Sequence, residues 1–209
     1  MERAVNYYVI FKKEDVGSPI SLEAVLLPYF YEKNPFEGRG DNADTAWRTT
    51  LHKPVELPPE LWLITKDRSY QFDCYADFGG FIMSQPFLDL IEEFGVTNYD
   101  RVKLHVVNKR KEPIKAKDYY YVKFYAGLDD VIDLDRSTYD RDKQGGYIKK
   151  YHEVYLTDKP KPDVFVVNDL VLGRRLFCSQ AFMTLAEARK MKGMKFVLVK
   201  EAGNYKEYK

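Results

Sequence analysis

Ile82-Met83-Ser84-Gln85-Pro86-Phe87-Leu88-Asp89-Leu90 reappears 95 residues later (179 minus 84) as Phe177-Cys178-Ser179-Gln180-Ala181-Phe182-Met183-Thr184-Leu185. In both stretches an apolar pair runs into Ser-Gln, and a phenylalanine follows three residues after the serine. A serine in this position is typical of a helix N-cap, and a glycine further along is typical of a helix stop. The pattern therefore predicts, twice, a strand that leads into a serine-capped helix and then a second strand.

The six residues that define these units are predicted to be structural. In each unit the serine caps the helix, the phenylalanine seats the helix on a sheet, and the glycine ends the helix. These residues are Ser84, Phe87 and Gly95 in the first unit, and Ser179, Phe182 and Gly193 in the second. The repeat thus describes a scaffold rather than a duplicated active site.

Most of the remaining chain favours strands. Aromatic and β-branched residues predict a first strand over residues 6–11, and the following Lys12-Lys13 pair indicates a place near a sheet edge. The clearest strand is the run Tyr119-Tyr120-Tyr121-Val122-Lys123-Phe124-Tyr125, and further strands are predicted near residues 164–167 and 170–177. With about two long helices against seven or more strands, we predict an α+β fold with a mainly antiparallel sheet.

The chain length and the distribution of prolines limit the possible domain organisation. At 209 residues the chain lies between the expectation for one large domain and that for two small ones, and we predict one domain over residues 1–209. Six prolines between residues 17 and 59 break any long element. We therefore expect an irregular region over residues 1–80 and a regular core over residues 81–200.

The amino-acid composition excludes several classes of function. The chain is 45% hydrophobic and 31% charged, as in globular proteins, and its net charge of +1 argues against a general nucleic-acid binder or a membrane-surface protein. Charge is nevertheless uneven, with six acids and no lysine or arginine in residues 71–100 and fourteen bases against seven acids in residues 143–209. Patches of opposite sign favour protein partners.

The sequence also predicts the cellular compartment of the protein. The N-terminal residues lack the long apolar stretch of an export signal, and no run approaches the roughly 20 apolar residues that span a bilayer. The two cysteines, Cys74 and Cys178, are then expected to be reduced and packed in or near the core. We expect a cytoplasmic protein that is a monomer or a small homo-oligomer.

The densest polar cluster directly follows the tyrosine-rich strand, in the stretch Asp129-Asp130-Val131-Ile132-Asp133-Leu134-Asp135-Arg136-Ser137-Thr138-Tyr139-Asp140. Closely spaced carboxylates can bind a hard cation, but this stretch fails the calcium-loop pattern, which needs glycine where Leu134 stands. Its apolar residues, including Leu134, are expected to pin the loop to the core. We predict that the partner-facing residues here are Asp129, Asp130, Asp133, Asp135, Arg136 and Tyr139.

Catalytic and cofactor sites are hard to find in this sequence. Its three histidines, His52, His105 and His152, are scattered and have no local partner with metal-ligand spacing. Cys178 stands before a helix N-cap but occupies the place of Met83 in the first copy, which favours packing over redox chemistry. No phosphate-binding glycine loop is present. We therefore predict no catalytic residue, no metal and no cofactor.

Aromatic residues suggest a second contact surface. The chain has 17 tyrosines and two tryptophans, residue types that are enriched where proteins bind proteins. Part of this set must lie in the core. From the irregular aromatic segment over residues 29–47, we predict Tyr31 and Trp47 as contact residues.

From about residue 82 to residue 199 the chain resembles an immunity-protein family of bacterial polymorphic toxin systems, first catalogued as a domain of unknown function and later named for a myxobacterial immunity protein. The likeness is carried by Ser84-x-x-Phe87-x-x-Leu90-Ile91-x-x-Phe94-Gly95-Val96, Tyr119-Tyr120-Tyr121-Val122, Asp130-Val131-Ile132-Asp133-x-Asp135-Arg136-Ser137, Asp163-Val164-Phe165 and the second serine unit. In the first 80 residues only the opening strand is similar.

The resemblance implies a non-enzymatic cytoplasmic antidote that binds one cognate protein toxin, often a toxin delivered by a contact-dependent or type VI secretion apparatus. It implies no shared catalytic residues, and the net charge already favours neither a nucleic-acid nor a membrane partner. Two alternatives remain open at the level of sequence. One is an enzyme that reverses a toxin's modification with magnesium held by Asp129, Asp130, Asp133 and Asp135, and the other is a general protein-interaction module.

Overall fold

The computed structural model describes residues 6–31, 46–49 and 52–206. The strands in this part of the chain are β1 (Tyr7–Lys12), β2 (Ala24–Leu27), β3 (Leu61–Thr65), β4 (Cys74–Asp77), β5 (Gly80–Ser84), β6 (Tyr99–Asn108), β7 (Tyr119–Phe124), β8 (Thr138–Arg141), β9 (Ile148–Glu153), β10 (Val164–Phe165), β11 (Leu176–Ser179) and β12 (Met194–Leu198). The helices are α1 (Ala46–Thr49), α2 (Gln85–Glu93), α3 (Gln180–Ala188) and α4 (Val199–Ala202).

These strands form two larger sheets and a hairpin. The first sheet has the order β10-β11-β1-β12, the second has the order β2-β3-β6-β7-β5-β4, and β8 pairs with β9. All the named strand pairs are antiparallel except β3 with β6. The predicted α+β class with mainly antiparallel sheets is confirmed.

The first strand, predicted near a sheet edge, is the strand next to the edge strand β12. β1 lies inside its sheet, between β11 and β12. Its terminal Lys12 does not face away from the protein, because its Nζ lies 3.9 Å above the ring of Tyr75 and 3.7 Å from Asp77 Oδ2. A lysine with a long aliphatic stem can therefore end an interior strand as well as an edge strand.

Both large sheets contain the same order of four strands. In the second sheet this order is β4-β5-β7-β6, and in the first it is β10-β11-β1-β12. A helix follows the second strand in each set, since α2 follows β5 and α3 follows β11. In the first sheet the place that corresponds to β7 is filled by β1, from the opposite end of the chain. The C-terminal set is thus completed by the N-terminal strand.

The first strand-helix junction is built around Ser84. Its Oγ accepts a hydrogen bond from the N–H of Phe87 at 3.4 Å and donates to Asp73 Oδ1 at 2.5 Å. Two backbone hydrogen bonds fix the same point, from Ser84 N to Asp73 O and from Gln85 N to Asp118 O, both at 2.9 Å. The cap is therefore held from both sides, by the helix and by the segment before β4.

The second junction repeats this arrangement around Ser179. Its Oγ accepts from the N–H of Phe182 at 3.3 Å and donates to the carboxylate of Asp163. Ser179 N donates to Asp163 O at 2.8 Å, and Gln180 N donates to Asn6 O at 3.0 Å. The two helices thus start from matched hydrogen-bond sets, although the chain segments that supply them come in a different order.

The two helices then pack into one core. The ring of Phe182 meets the ring of Phe87 edge-on, with a centroid distance of 5.8 Å, and that of Phe94 at 5.2 Å. At the surface the guanidinium of Arg189 forms two 2.7 Å hydrogen bonds to the carboxylate of Glu93. Edge-to-face aromatic contacts of this kind add to the free energy of burial.

α2 ends with a Schellman motif. Gly95 has a φ of 72°, its N–H donates to Glu92 O, and the N–H of Val96 donates to Ile91 O. This pattern satisfies two carbonyl groups at the end of the helix and requires a residue in the left-handed region, where glycine carries no steric cost.

α3 ends with the same motif but without glycine, so the predicted stop at Gly193 is wrong. Here Lys190 has the left-handed φ, 56°, and donates to Glu187 O, while the N–H of Met191 donates to Ala186 O. Gly193 comes just before β12, where a Cβ would lie 2.6 Å from the Cβ of Phe72. Its role is close packing in a turn rather than helix termination.

A buried carboxylate connects these parts. Asp73 is 1% exposed, and its side chain accepts hydrogen bonds from Ser84 Oγ, from Lys117 Nζ at 2.6 Å and from Lys192 N at 2.7 Å. Its own N–H donates to Lys192 O. Asp73 therefore joins the start of α2 to the segment that leads into β12, across the two large sheets.

Lys190→Gly is expected to raise the free energy of unfolding by up to about 1 kcal/mol, because it removes a side chain from left-handed backbone. The matched change Gly95→Ala should lower it by about 1 kcal/mol, since no atom crowds that site and only backbone strain is added. Urea denaturation measures both effects. A loss of stability in Lys190→Gly would contradict this assignment.

Asp73→Ala is expected to cost about 3 kcal/mol or more, because it leaves Lys117 and buried N–H and O–H donors without their acceptor. Asp163→Ala, at the half-buried second junction, should cost only about 1 kcal/mol. Thermal or urea denaturation of the two variants gives the comparison. Equal losses would show that Asp73 acts only as a local helix-cap partner.

Candidate functional site

The predicted acidic segment lies in the loop between β7 and β8, where backbone contacts hold it in place. Leu128 N donates to Val166 O at 2.9 Å, and Asp133 N donates to Tyr155 O at 2.8 Å. Val131 is 4% exposed and belongs to the core. Leu134, which was expected to pin the loop, is instead 40% exposed. The loop is thus anchored through its first half, and Leu134 faces solvent.

The carboxylates of this loop differ in what they contact. Asp133 Oδ1 accepts from the N–H of Arg136 at 3.1 Å, which closes a turn, and Asp129 Oδ1 accepts from Asn168 Nδ2 at 2.9 Å. Asp130 and Asp135 are exposed. In the described part of the chain, no three histidine, cysteine or acidic side chains lie close enough together to hold a metal.

Beyond residue 137 the acidic residues are paired with bases of the β8–β9 hairpin. His152 Nε2 lies 3.0 Å from Asp140 Oδ2, and Lys149 Nζ lies 2.7 Å from Asp142 Oδ2. The hydrogen bond from Lys149, with those from two backbone N–H groups, lowers the pKa of Asp142 below its usual value. Asp133 Oδ2 in turn lies 3.8 Å from Arg136 Nη1, so the exposed carboxylates outside these described ion pairs are those of Asp129, Asp130 and Asp135.

The predicted contact residue Tyr139 is half-buried in the same hairpin. Its ring meets that of Tyr151 edge-on with a centroid distance of 6.0 Å, and Arg141 lies 5.1 Å above it. Most of this side chain is used for packing within the hairpin.

Beside the acidic loop the surface forms a groove of about 170 Å³, here named the acidic groove. Its apolar lining includes Leu128, Ile132, Leu134 and Ile148, and its carboxylates are Asp130 and Asp169. Two large apolar residues next in sequence to this lining are also exposed, Tyr147 at 49% and Leu170 at 76%. An apolar centre with carboxylates at its margin is typical of a protein-binding surface.

Asp169 gives one wall of the acidic groove a fixed shape. Its Oδ1 accepts from the N–H groups of Val171 and Leu172 at 2.8 and 2.7 Å, and its Oδ2 accepts from the hydroxyl of Tyr151 at 2.8 Å. Burial and this carboxylate raise the pKa of the Tyr151 hydroxyl, so Tyr151 remains a donor at neutral pH. Residues 170–175, where a strand was predicted, form turns, and β11 begins only at residue 176.

The predicted aromatic contact segment is only partly described. Residues 32–45 lie outside the described residues, and Tyr31 is half-buried. Trp47 is 3% exposed and meets the ring of Tyr121 edge-on at 5.2 Å, so it is a core residue in this structure rather than a residue offered to a partner. Burial of an aromatic residue in a short helix cannot be read from its sequence neighbours alone.

A second concave region of about 250 Å³, here named the basic cleft, lies between the end of β1, the β4–β5 hairpin and residues 173–175. Among the described residues, the basic side chains in its wall are Lys12, His52, Arg174 and Arg175, and Asp77 contributes a carboxylate. His52 Nε2 is hydrogen-bonded to the carbonyl of Gly173. Sequence inspection missed this region, because its residues come from four separate segments.

A buried lysine lies behind the β4–β5 hairpin. Lys123 is 2% exposed, and its Nζ donates to Gly79 O at 2.6 Å and to Arg48 O at 3.4 Å. Burial, and secondarily the positive charge of Arg174, lower the pKa of Lys123 to about 8. Both acceptors are neutral carbonyls, so they stabilise the ammonium group less than a carboxylate would.

The family model described as Immunity protein 43 matches residues 10–209 of this chain. This match includes the N-terminal part, where sequence inspection found likeness only in the first strand. Curated proteins give no match. The described part of the chain contains no helix that is long and apolar enough to cross a membrane.

Lys123→Met is expected to flatten the dependence of stability on pH. Because the folded pKa of Lys123 lies below its unfolded value, the unfolded chain binds more protons from about pH 8 to about pH 10, and the free energy of unfolding should rise across this range. Urea denaturation at several pH values, in both proteins, measures the difference. Parallel profiles for the wild type and Lys123→Met would contradict it.

Proposed function

Because the chain belongs to the Immunity protein 43 family, we propose that it is a non-enzymatic antidote that neutralises one cognate bacterial toxin by binding and covering it. The toxin belongs to a polymorphic system of the kind used in competition between bacteria, delivered by contact or by type VI secretion. The antidote acts in the cytoplasm of the cell that makes it, as a single-domain protein. The observation that carries this proposal is the acidic groove.

The acidic groove has the composition that a stable protein contact needs. Leu134 and Leu170 offer apolar side chains to solvent, at 40% and 76% exposure. Leu134 lines the groove, and Leu170 follows Asp169, which also lines it. Exposed apolar residues around a depression commonly supply the anchors of an interface. A complex of standard size would bury about 800 Å² on each partner, which requires the loop over residues 129–135 and the β8–β9 hairpin to contribute together.

Charge indicates the kind of toxin surface that fits. Asp129, Asp130 and Asp135 are exposed, Asp130 lines the groove, and the three lie outside the ion pairs of the hairpin. Carboxylates at the rim of an interface attract a basic partner and accelerate its association. A toxin with a basic substrate cleft, such as a nuclease, fits this surface, because the carboxylates can occupy the positions of substrate phosphates.

The aspartates of the loop support partner binding better than catalysis. Asp133 is engaged in a turn with the N–H of Arg136, and Asp129 is engaged with Asn168. These hydrogen bonds fix the loop as a surface. Tyr31 stays a proposed contact residue, whereas the buried Trp47 does not belong to the proposed surface.

The proposal is tested with the toxin encoded beside this gene, expressed with and without the antidote. Growth should be rescued by the wild type, and calorimetry should give a stoichiometric complex. Leu134→Arg and Leu170→Arg should each weaken binding by at least about tenfold, because they place a charge in the apolar contact. Asp135→Lys should mainly slow association and should do so most at low salt.

Glu187→Lys is the matched control, since it makes the same charge change at an exposed position on α3. Ser179→Ala is the stability control, because it should cost about 1 kcal/mol at the helix cap and leave toxin affinity unchanged. Rescue of growth without any complex would contradict occlusion. Unchanged affinity in both leucine variants would place the contact elsewhere on the protein.

A further inference from the structure

The six-stranded sheet is open along part of β6. β3 runs parallel to β6, and their pairing begins at Leu61 with Leu104. Before this point, residues 55–59 and residues 100–103 of β6 line a groove of about 560 Å³, here named the open seam. In the described part of the chain, no backbone hydrogen bond joins these two segments. The sheet therefore contains an edge that its own strands leave unpaired.

The strand geometry determines which backbone groups point into the open seam. Tyr125 N donates to Asn98 O, across β6 and β7. Bonded and non-bonded pairs alternate along an antiparallel ladder, so the next two alternate residues of β6 bond to β7 as well. The N–H and C=O groups of Arg101 and the N–H of Lys103 therefore point away from β7, toward the open seam.

A proline explains why residues 55–59 do not close the open seam. In the register of β3 with β6, the donor that would reach the carbonyl of Arg101 is the nitrogen of residue 59. Pro59 has no N–H, so this hydrogen bond cannot form. Val55 and Leu57 pack against the core. The segment is thus held in place by its side chains and still leaves the edge of β6 unpaired.

The charges around the open seam favour a basic partner. Arg101 and Lys103 each form an ion pair of 3.0 Å with a carboxylate outside the seam. Glu56 and Asp100 are exposed lining residues, and neither forms an ion pair in the described part of the chain. A lysine or arginine on an extended segment in the seam would complement these two carboxylates.

The open seam lies near the loop that is proposed to bind the toxin. Asn98, directly before β6, donates through Nδ2 to Ala126 O at 3.0 Å. Asp129, the first aspartate of the loop, follows Ala126 by three residues, which span at most about 11 Å. A partner that covers the acidic loop therefore comes within reach of the start of β6.

We propose that the open seam is the docking site for an extended segment of the cognate toxin, which adds to the sheet as a strand along β6. The identity of this partner rests on the proposed function. Arg101 and Lys103 supply the backbone hydrogen bonds, while Glu56 and Asp100 attract a basic side chain of the segment. Addition of a strand to an unpaired sheet edge is a recurring mode of peptide recognition.

Hydrogen exchange of the antidote alone tests whether the seam is open. The N–H groups of Arg101 and Lys103 should exchange at least about tenfold faster than those of Asp100 and Val102, because only the latter two are bonded to β7. NMR-detected exchange gives this comparison residue by residue. Equal protection of all four groups would overturn the proposal, and this result does not depend on any toxin.

The same measurement on the complex with the toxin encoded beside this gene tests strand addition. Exchange at Arg101 and Lys103 should slow by at least about tenfold, because both N–H groups then donate to the added strand. Unchanged exchange at these residues, in a stoichiometric complex, would overturn the docking site and leave the antidote function intact. Absence of any complex would overturn both.

Arg101→Pro and Arg101→Ala are matched variants. Both remove the side chain, but only proline also removes the N–H that points into the seam. Arg101→Pro should bind the toxin about fivefold more weakly than Arg101→Ala, since one backbone hydrogen bond to the added strand is lost. Circular dichroism checks that both variants are folded. Equal affinities of the two folded variants would contradict strand addition.

Pro59→Ala tests the seam from its other side and leaves β6 unchanged. It supplies an N–H opposite the carbonyl of Arg101, so toxin binding should be at least about fivefold weaker because the seam closes. Pro58→Ala is the matched control, since in the β3 register the nitrogen of residue 58 points away from β6. It should bind the toxin as the wild type does. Equal affinities of the two variants would contradict the proposal.

Discussion

The carboxylate of Asp73 is the point on which the rest of this structure depends. It accepts a hydrogen bond from the cap of α2 and another from the segment before β12, so one buried charge fixes two parts of the chain that are more than a hundred residues apart. A buried carboxylate is stable only while its donors stay in place. These hydrogen bonds therefore hold the start of α2 and the approach to β12 in one relative position.

Local chemistry explains why the two strand-helix junctions could be predicted. Ser84 and Ser179 each accept a hydrogen bond from the N–H three residues later, so the sequence signal lies within a few neighbouring residues. The helix stop at Lys190 was missed because the prediction relied on glycine, whereas hydrogen bonding and packing can hold another residue in the left-handed region. The Lys12-Lys13 pair indicates a place near an edge, but the partners of β1 cannot be read from it, because they are β11 and β12 at the far end of the chain.

The candidate sites likewise differ in whether their residues are close together in the sequence. The acidic loop was visible in sequence because its carboxylates are adjacent, and part of its charge is indeed exposed. Which carboxylates are used inside the protein depends on non-local contacts, such as that of Asp129 with Asn168. The acidic groove and the basic cleft could not be predicted, because their walls combine several segments, and a basic pair such as Arg174-Arg175 resembles an ordinary solvated surface.

One short segment forms part of both regions. Residues 168 and 169 line the acidic groove, residues 173–175 line the basic cleft, and Asp169 O accepts a hydrogen bond from the N–H of Gly173. This turn is fixed on one side by Tyr151 and on the other by His52. Under the proposed function, a turn that is held at both ends would keep the two regions in a fixed spatial relation, so a partner that contacts both must match both. Specificity of this kind needs no exchange of core residues, so the fold can remain constant while the exposed residues at its two ends change.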